Sequence, residues 1–495
     1  SASIGEDSPG HQGSPLRLLQ TPDMRTTIRT LAALLASLVV TGCATAPERQ
    51  AVAVGQAGWT YARSVYENPI NRPVSHASSL GSLALKSTGG FLRRATVNHI
   101  GMPALSGDIP DVALAEPMNL DEFEDVLDRV TGPRSDTGRI QFLVDGEEYF
   151  SRLEQAVSEA QQSIDIRTFI FDNDDFAVAF ADQLKARSSD VPVRVMIDSL
   201  GNLLALQVDP ESNPENHEYP VSMNLYLEDD SSVRVRKMTN PWLTSDHVKT
   251  SIIDRRIAFV GGMNIGREYR YEWHDLMMEV TGPVVDQLQF KSDKAWARAG
   301  LLGDVAYVAR AMRGKSEDAD RGGYAVRILQ TKNFSSQIYK AQIAAIKHAQ
   351  SYILIENAYF SDDRTIYELA KARRRGVDVR VIVPAAGNHG TLNASNRVTI
   401  NTLLEHGIRV YEYPGMSHVK AAVFDGWACV GSANLDKLSL KVNKELNLAT
   451  SDPETVNSLL DRVFLPDLEA SREIVRPVVV TVADRMIEKL VDEAL

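Results

Sequence analysis

Two segments of the chain carry the same reactive side chains at nearly the same spacing. The first reads Ser245-Asp246-His247-Val248-Lys249, with Asp254 five positions on, then Gly261-Gly262-Met263-Asn264, and later Trp273-His274-Asp275. The second reads Ser417-His418-Val419-Lys420, then Asp425, then Gly431-Ser432-Ala433-Asn434, and later Asn443-Lys444-Glu445. One His-x-Lys-x-x-x-x-Asp alone would be weak evidence of anything. Two copies, each followed by Gly-x-x-Asn and a carboxylate at matched distance, point to a shared purpose.

These residue types suit phosphodiester chemistry. His and Lys two apart on a strand project from one face, so both can address one phosphate. A neutral imidazole can attack phosphorus and form a phosphohistidine, dividing one displacement into two easier ones. A second, protonated imidazole can give the leaving alkoxide its proton and later take one from the acceptor hydroxyl. Either histidine can fill either role. Lys249, Lys420, Asn264 and Asn434 are placed to stabilise charge on the non-bridging oxygens, each well-aimed donor contributing on the order of 3 kcal/mol in the transition state. The scheme calls for no metal and no cofactor, and none is expected.

The elements that must hold these residues also repeat. From Ile140 onward, short Val/Ile-rich runs alternate with amphipathic stretches, the pattern of an α/β fold. The first half predicts a helix over 149–160, a strand over 163–171, a helix over 176–187 and a strand over 193–197. The second half replays this as 337–349, 352–360, 365–375 and 379–383. The strands 233–236 and 408–411 then precede the two motif copies. A long internal duplication accounts for this order. The expected domains are a first unit at 135–310 and a second at 311–495. Residues 44–134, broken by Pro69, Pro73, Pro103 and Pro110, are expected to be a tether or cap with one helix over 121–130.

From about Ile140 to the C-terminus the chain resembles the phospholipase D superfamily, and within it the bacterial cardiolipin synthases. The likeness is carried by the two motifs, by Ala258-Phe-Val-Gly-Gly-Met-Asn-Ile-Gly-Arg-Glu-Tyr269 with Trp273-His-Asp275, and by Val430-Gly-Ser-Ala-Asn-Leu-Asp436 with Asn443-Lys-Glu-Leu-Asn447. The resemblance implies two tandem α/β/α sandwich domains related by a pseudo-twofold axis, with one active site at their interface. It makes His247 the nucleophile and His418 the acid and base, puts Lys249, Lys420, Asn264 and Asn434 on the phosphate, and has Asp275 and Glu445 orient the histidines. Asp254 and Asp425, with Gly261, Gly431 and Ser432, fall on structural positions of the motif. Two departures stand out: Val248 and Val419 occupy positions where many relatives carry Arg, and a lipoprotein-like leader replaces the N-terminal transmembrane helices of typical synthases.

That leader begins at Met24. Arg25 and Arg29 precede an apolar run over 31–40 that ends in Val40-Thr41-Gly42-Cys43, which resembles a lipobox. Residues 1–43 are therefore expected to comprise an upstream segment, set aside from fold reasoning, and an export signal. Lipidation of Cys43 would place the protein in a bacterial envelope, facing the periplasm, and by resemblance Ala44 after the cysteine favours the outer membrane. The run is too short for an ordinary membrane span.

Composition narrows the function further. A net charge of -12 argues against a general nucleic-acid binder. Two cysteines, Cys43 and Cys429, exclude a disulfide framework and a cysteine-rich zinc site. Among residues outside the motifs, His274, His348, His389 and His406 read as structural or solvated, Arg373-Arg374-Arg375 as a solvated helix end, and Cys429 as core. The segment 200–206 and the pair Trp242-Leu243 are candidates to line an acyl entrance. The leading functional expectation is phosphatidyl transfer, with phosphatidylglycerol as the suspected substrate and no obligate protein partner. Hydrolysis to phosphatidic acid is the near alternative. A secreted nuclease and a non-catalytic envelope lipoprotein are the remaining ones.

Overall fold

In a computed structural model the described residues are 69–79, 81–82, 105, 107–134, 136–201, 210–214, 216–238, 244–312, 322–333, 335–387 and 390–484. The leader with Cys43, His389, Trp242-Leu243 and most of 200–206 lie outside them. No helix among the described residues is long and apolar enough to cross a membrane.

The first half contributes strands β1 (Asp136–Val144), β2 (Ile164–Thr168), β3 (Val193–Asp198), β4 (Arg234–Met238), β5 (Lys249–Ile253), β6 (Ile257–Gly261) and β7 (Leu276–Thr281). The second contributes β8 (Tyr324–Lys332), the short β9 (Ser335–Ser336), β10 (Tyr352–Asn357), β11 (Asp378–Pro384), β12 (Arg409–Tyr413), β13 (Lys420–Phe424), β14 (Trp427–Gly431), β15 (Glu445–Thr450) and β16 (Arg472–Ile474). Sheet order is β1-β7-β6-β5-β2-β3-β4 in one half and β8-β15-β14-β13-β10-β11-β12 in the other, extended by β16. The duplication read from the sequence is thus a duplication of topology. Antiparallel pairing of β1 with β8 joins the two into one sheet. At that seam a Cβ on Gly138 would lie 2.5 Å from Val284, and one on Gly323, at φ 115°, would meet the Gly138 backbone, so both positions need glycine.

Each half buries two faces, as parallel and mixed sheets require. One core packs the helices Asp145–Glu159 and Asp175–Arg187 over Ile164, Ile166, Val193 and Val195. Its counterpart packs Gln337–His348 and Asp363–Arg374 over Ile353, Ile355, Val379 and Val381. A third core is shared: Ile252, Ala258, Val260 and Met278 of the first half meet Val423, Ala428, Val430 and Leu448 of the second. Val248 and Val419, the positions between His and Lys, belong to this shared core, so the alternation along the motif strand sends them away from the reactive side chains.

Three expectations are amended. The expected tether contains the helix Leu120–Thr131, which is built into the second half: Phe123 and Leu127 join its core, Phe123 lies edge-on to Trp427, and Glu124 and Asp128 pair with Arg327. The strands expected over 163–171 and 352–360 stop at Thr168 and Asn357, after which the chain makes only single bridges, Phe171 to Ile265 and Phe360 to Leu435. Arg373–Arg375 are not a solvated end. Their guanidinium groups donate to the carbonyls of Gly407, Leu105, Ile346 and Ala349, and so staple loops.

Asp254 and Asp425 occupy the left-handed turns of the β5–β6 and β13–β14 hairpins, at φ 52° and 48°. Asp254 accepts N–H groups from Gln161, Gln162 and Ser163, while Asp425 accepts those of Met118, Gln350, Ser351 and Tyr352. These carboxylates anchor the motif hairpin to the loop before the neighbouring strand. Asp425→Ala would orphan four backbone donors. The expected loss is at least ~3 kcal/mol of stability, readable as a lower midpoint in urea unfolding.

Candidate active site

Strands β5 and β7 both pair with β6 and run parallel to each other, so the residues just before them, His247 and Asp275, sit at the same sheet end. Two strand spacings, about 9.5 Å, separate such positions, too far for a hydrogen bond within one half. The contacts are therefore crossed between halves. His247 Nδ1 lies 3.1 Å from Glu445 Oε2, and His418 Nδ1 lies 2.6 Å from Asp275 Oδ2. Two reciprocal bridges enforce the crossing. Ser245 and His247 exchange backbone hydrogen bonds with Lys444, and Met416 and His418 exchange them with His274.

Lys249 and Lys420 each donate Nζ to the carbonyl of their own motif histidine. Asn264 uses Oδ1 to accept from the Ile170 N–H, which leaves its amide N–H groups for another acceptor. The Asn434 side chain is buried, and its Oδ1 has no partner. Gly261 and Gly431 sit where a Cβ would strike the carbonyls of Leu276 and Leu446. Gly262 and Ser432 differ to match their carboxylates. A Cβ at 262 would lie 2.3 Å from Asp275 Oδ1, whereas the Ser432 hydroxyl donates to the longer Glu445.

His247, His418, Lys249, Lys420, Asp275 and Glu445 are thus brought together, with Phe169 edge-on to His247 and both Tyr269 and Trp273 beside His418. Burial is the largest influence on both imidazoles and pushes each below its ordinary pKa, with Lys420 adding to the shift at His418; Glu445 and Asp275 pull the other way. The rings are therefore held neutral before an anion arrives. With Nδ1–H given to a carboxylate, each Nε2 presents a lone pair. Burial also lowers Lys249 to about 7 and Lys420 to about 8. A lysine with a depressed pKa loses its positive charge as pH rises through that value. If these ammonium groups hold substrate phosphate, kcat/KM should fall as pH is raised through 7 to 8, and Lys249→Arg, which removes the lower of the two values, should push the onset of that limb to higher pH.

The motifs say little about what lies beneath the pocket. Asp246 makes a buried bidentate ion pair with Arg167 and a second contact with Lys444. Beneath His418, Ser417 donates to Glu356, and His274 of the first half bridges Asp145 and Asp467 while stacking on Tyr413. Asp246 and Ser417 directly precede the two histidines, and Lys444 and His274 directly precede the two carboxylates. That shared offset was a usable signal. His274 is structural, as expected, and its two carboxylates raise its pKa to about 11 against the opposing effect of burial.

The family model described as "Cardiolipin synthase, PLD-like domain" matches residues 153–296 and 342–466. The chain belongs to this family. Membership makes it a phospholipase D-type enzyme of phosphodiester chemistry, assembled from two PLD-like halves. Similar proteins include cardiolipin synthase B of Escherichia coli K12, 29% identical over 357 residues that cover 68% of this chain and 83% of that one. Cardiolipin synthase A of Pseudomonas putida is 28% identical over 356 residues, covering 68% and 70%. The crystal structure of a phosphatidylserine synthase from Haemophilus influenzae shares the fold at TM-score 0.56 and 14% identity, covering 75% of this chain and 96% of that one. Each PLD-like half carries one His-x-Lys motif, and the crossed contacts make the two halves a single site.

Proposed function

We propose that this PLD-like enzyme is a phosphatidyltransferase that makes cardiolipin from phosphatidylglycerol through a phosphohistidine. The observation that carries the reading is the crossed pair of imidazoles, each tied through Nδ1 to a carboxylate of the opposite half. The names of the similar synthases support cardiolipin as the product. His247 Nε2 attacks phosphorus, and the bond to the glycerol oxygen breaks as His418 gives that oxygen a proton. The lipid anion raises the proton affinity of His418, which burial lowers, so the acid form is generated by substrate itself. His418 then accepts the proton of a second lipid's hydroxyl, whose oxygen displaces His247 and forms the new phosphodiester. Lys249, Lys420, Asn264 and Asn434 hold the non-bridging oxygens throughout. Water in place of the second hydroxyl would give phosphatidic acid.

Lipidation at Cys43 would hold the pocket against a membrane in the cell envelope, with outer-membrane sorting favoured. The test is mass spectrometry of lipids after detergent-purified protein is incubated with phosphatidylglycerol alone. Cardiolipin appearing with free glycerol supports transfer. Phosphatidic acid alone would make the enzyme a hydrolase, and no lipid product would overturn the substrate assignment.

A further inference from the structure

The two halves correspond element by element, and at one place outside the pocket their charges diverge. In the second half, Asp362 caps the helix Asp363–Arg374 just after the Phe360–Leu435 bridge, and its Oδ1 accepts from Lys441 Nζ at 2.5 Å. In the first half, Asp174 caps the helix Asp175–Arg187 just after the Phe171–Ile265 bridge. The spacing that aligns Asp275 with Glu445 puts Tyr271 where the other half has Lys441. Two more carboxylates arrive instead. Asp172 stands where the second half has Ser361, and Glu268 where it has Leu438.

Oxygens of Asp172, Asp174 and Glu268 all lie within 4.8 Å of one another, and all three residues are buried. Asp174 accepts the N–H groups of Ala177 and Arg267, and Asp172 accepts that of Asn173. Glu268 is 4% exposed, and its Oε2 faces this cluster without a hydrogen-bond partner. Gly266 leaves space beside it: a Cβ there would lie 3.0 Å from Glu268 Oε2 and 3.4 Å from Asp174 Oδ2, and the second half fills that position with Asp436. Three buried carboxylates in so small a volume call for a countercharge. An all-oxygen donor set selects a hard cation.

We propose that Asp172, Asp174 and Glu268 bind a divalent cation of the Ca²⁺ or Mg²⁺ class, at the place the Lys441 ammonium fills in the other half. The site is separate from the reacting phosphate, and the inference does not depend on which lipid is the substrate. Its consequence is positional. Glu268 lies in the short helix Arg267–Tyr271, which follows Asn264 closely in the chain and whose Tyr269 packs against the His418 ring, so a cation would fix the segment next to Asn264.

The test uses the full chain, stripped with EDTA and titrated with CaCl₂ and separately with MgCl₂ by calorimetry and thermal melting. One binding event is expected with at least one cation, with a rise in Tm of about 3 °C at a hundredfold excess over Kd. Glu268→Gln, nearly isosteric, should abolish both signals and melt higher than the unaltered protein in EDTA, because it removes like-charge repulsion. His418→Ala should bind as the unaltered protein does. Terbium provides a readout without a variant, since Tyr269 and Tyr271 would sensitise its emission and Ca²⁺ should quench it by displacement. No heat, no melting shift and no sensitised emission would overturn the proposal, as would binding that persists in both Glu268→Gln and Asp172→Asn. The cluster would then be held by a proton on Glu268.

Discussion

Replacing either His247 or His418 with alanine should lower phosphodiester turnover by at least about 10⁴-fold while leaving the melting temperature nearly unchanged. The two losses should also be far from additive, because both rings serve one covalent cycle in one pocket. Without His247 no nucleophile stands behind the phosphorus. Without His418 the alkoxide must leave unprotonated, and the second hydroxyl has no base. Neither imidazole takes part in the backbone bridges that join the two halves, so truncation should leave the fold in place. The measurement is turnover on phosphatidylglycerol vesicles for both single variants and the double variant, alongside melting curves.

The second large effect belongs to the crossed carboxylate. Asp275→Asn should reduce turnover about 10²- to 10⁴-fold with the fold intact, because an amide can present either N–H or oxygen to Nδ1 and no longer fixes the tautomer that leaves Nε2 free. The damage should appear at the histidine of the other half. In ¹⁵N spectra of the imidazoles, His418 rather than His247 should change tautomer, and Glu445→Gln should do the reverse. A change confined to the histidine of the same half would contradict the crossed arrangement.

Much of this architecture was readable in the residues. The repeated run of strand, helix and strand gave both halves their order, because alternating Val/Ile segments and amphipathic stretches mark period and length directly. The motif spacing pointed to the two histidines, the two lysines and their carboxylates, but not to Phe169, which packs edge-on to His247. It could not say which carboxylate serves which histidine, since that depends on β5 and β7 being two strands apart and on bridges such as that from Asp246 to Lys444, which are contacts between distant segments. Arg167 and Glu356 were likewise hidden, because each is a charged residue within a strand whose partner is fixed only by tertiary packing. The helix Leu120–Thr131 was visible as a helix but not as core, because its partner Trp427 lies some three hundred residues away.

The central claim is a single composite site that passes through a phosphohistidine. It is tested most directly by incubating the His418→Ala protein with a phosphate-labelled phosphatidyl ester of p-nitrophenol, whose leaving group departs without a proton, quenching at alkaline pH, and locating the label by peptide mass spectrometry. The account predicts label on the peptide containing His247, none in the His247→Ala protein, and no release of label to a second lipid. Label on a residue outside the pair, or product formed by a protein lacking both histidines, would contradict it.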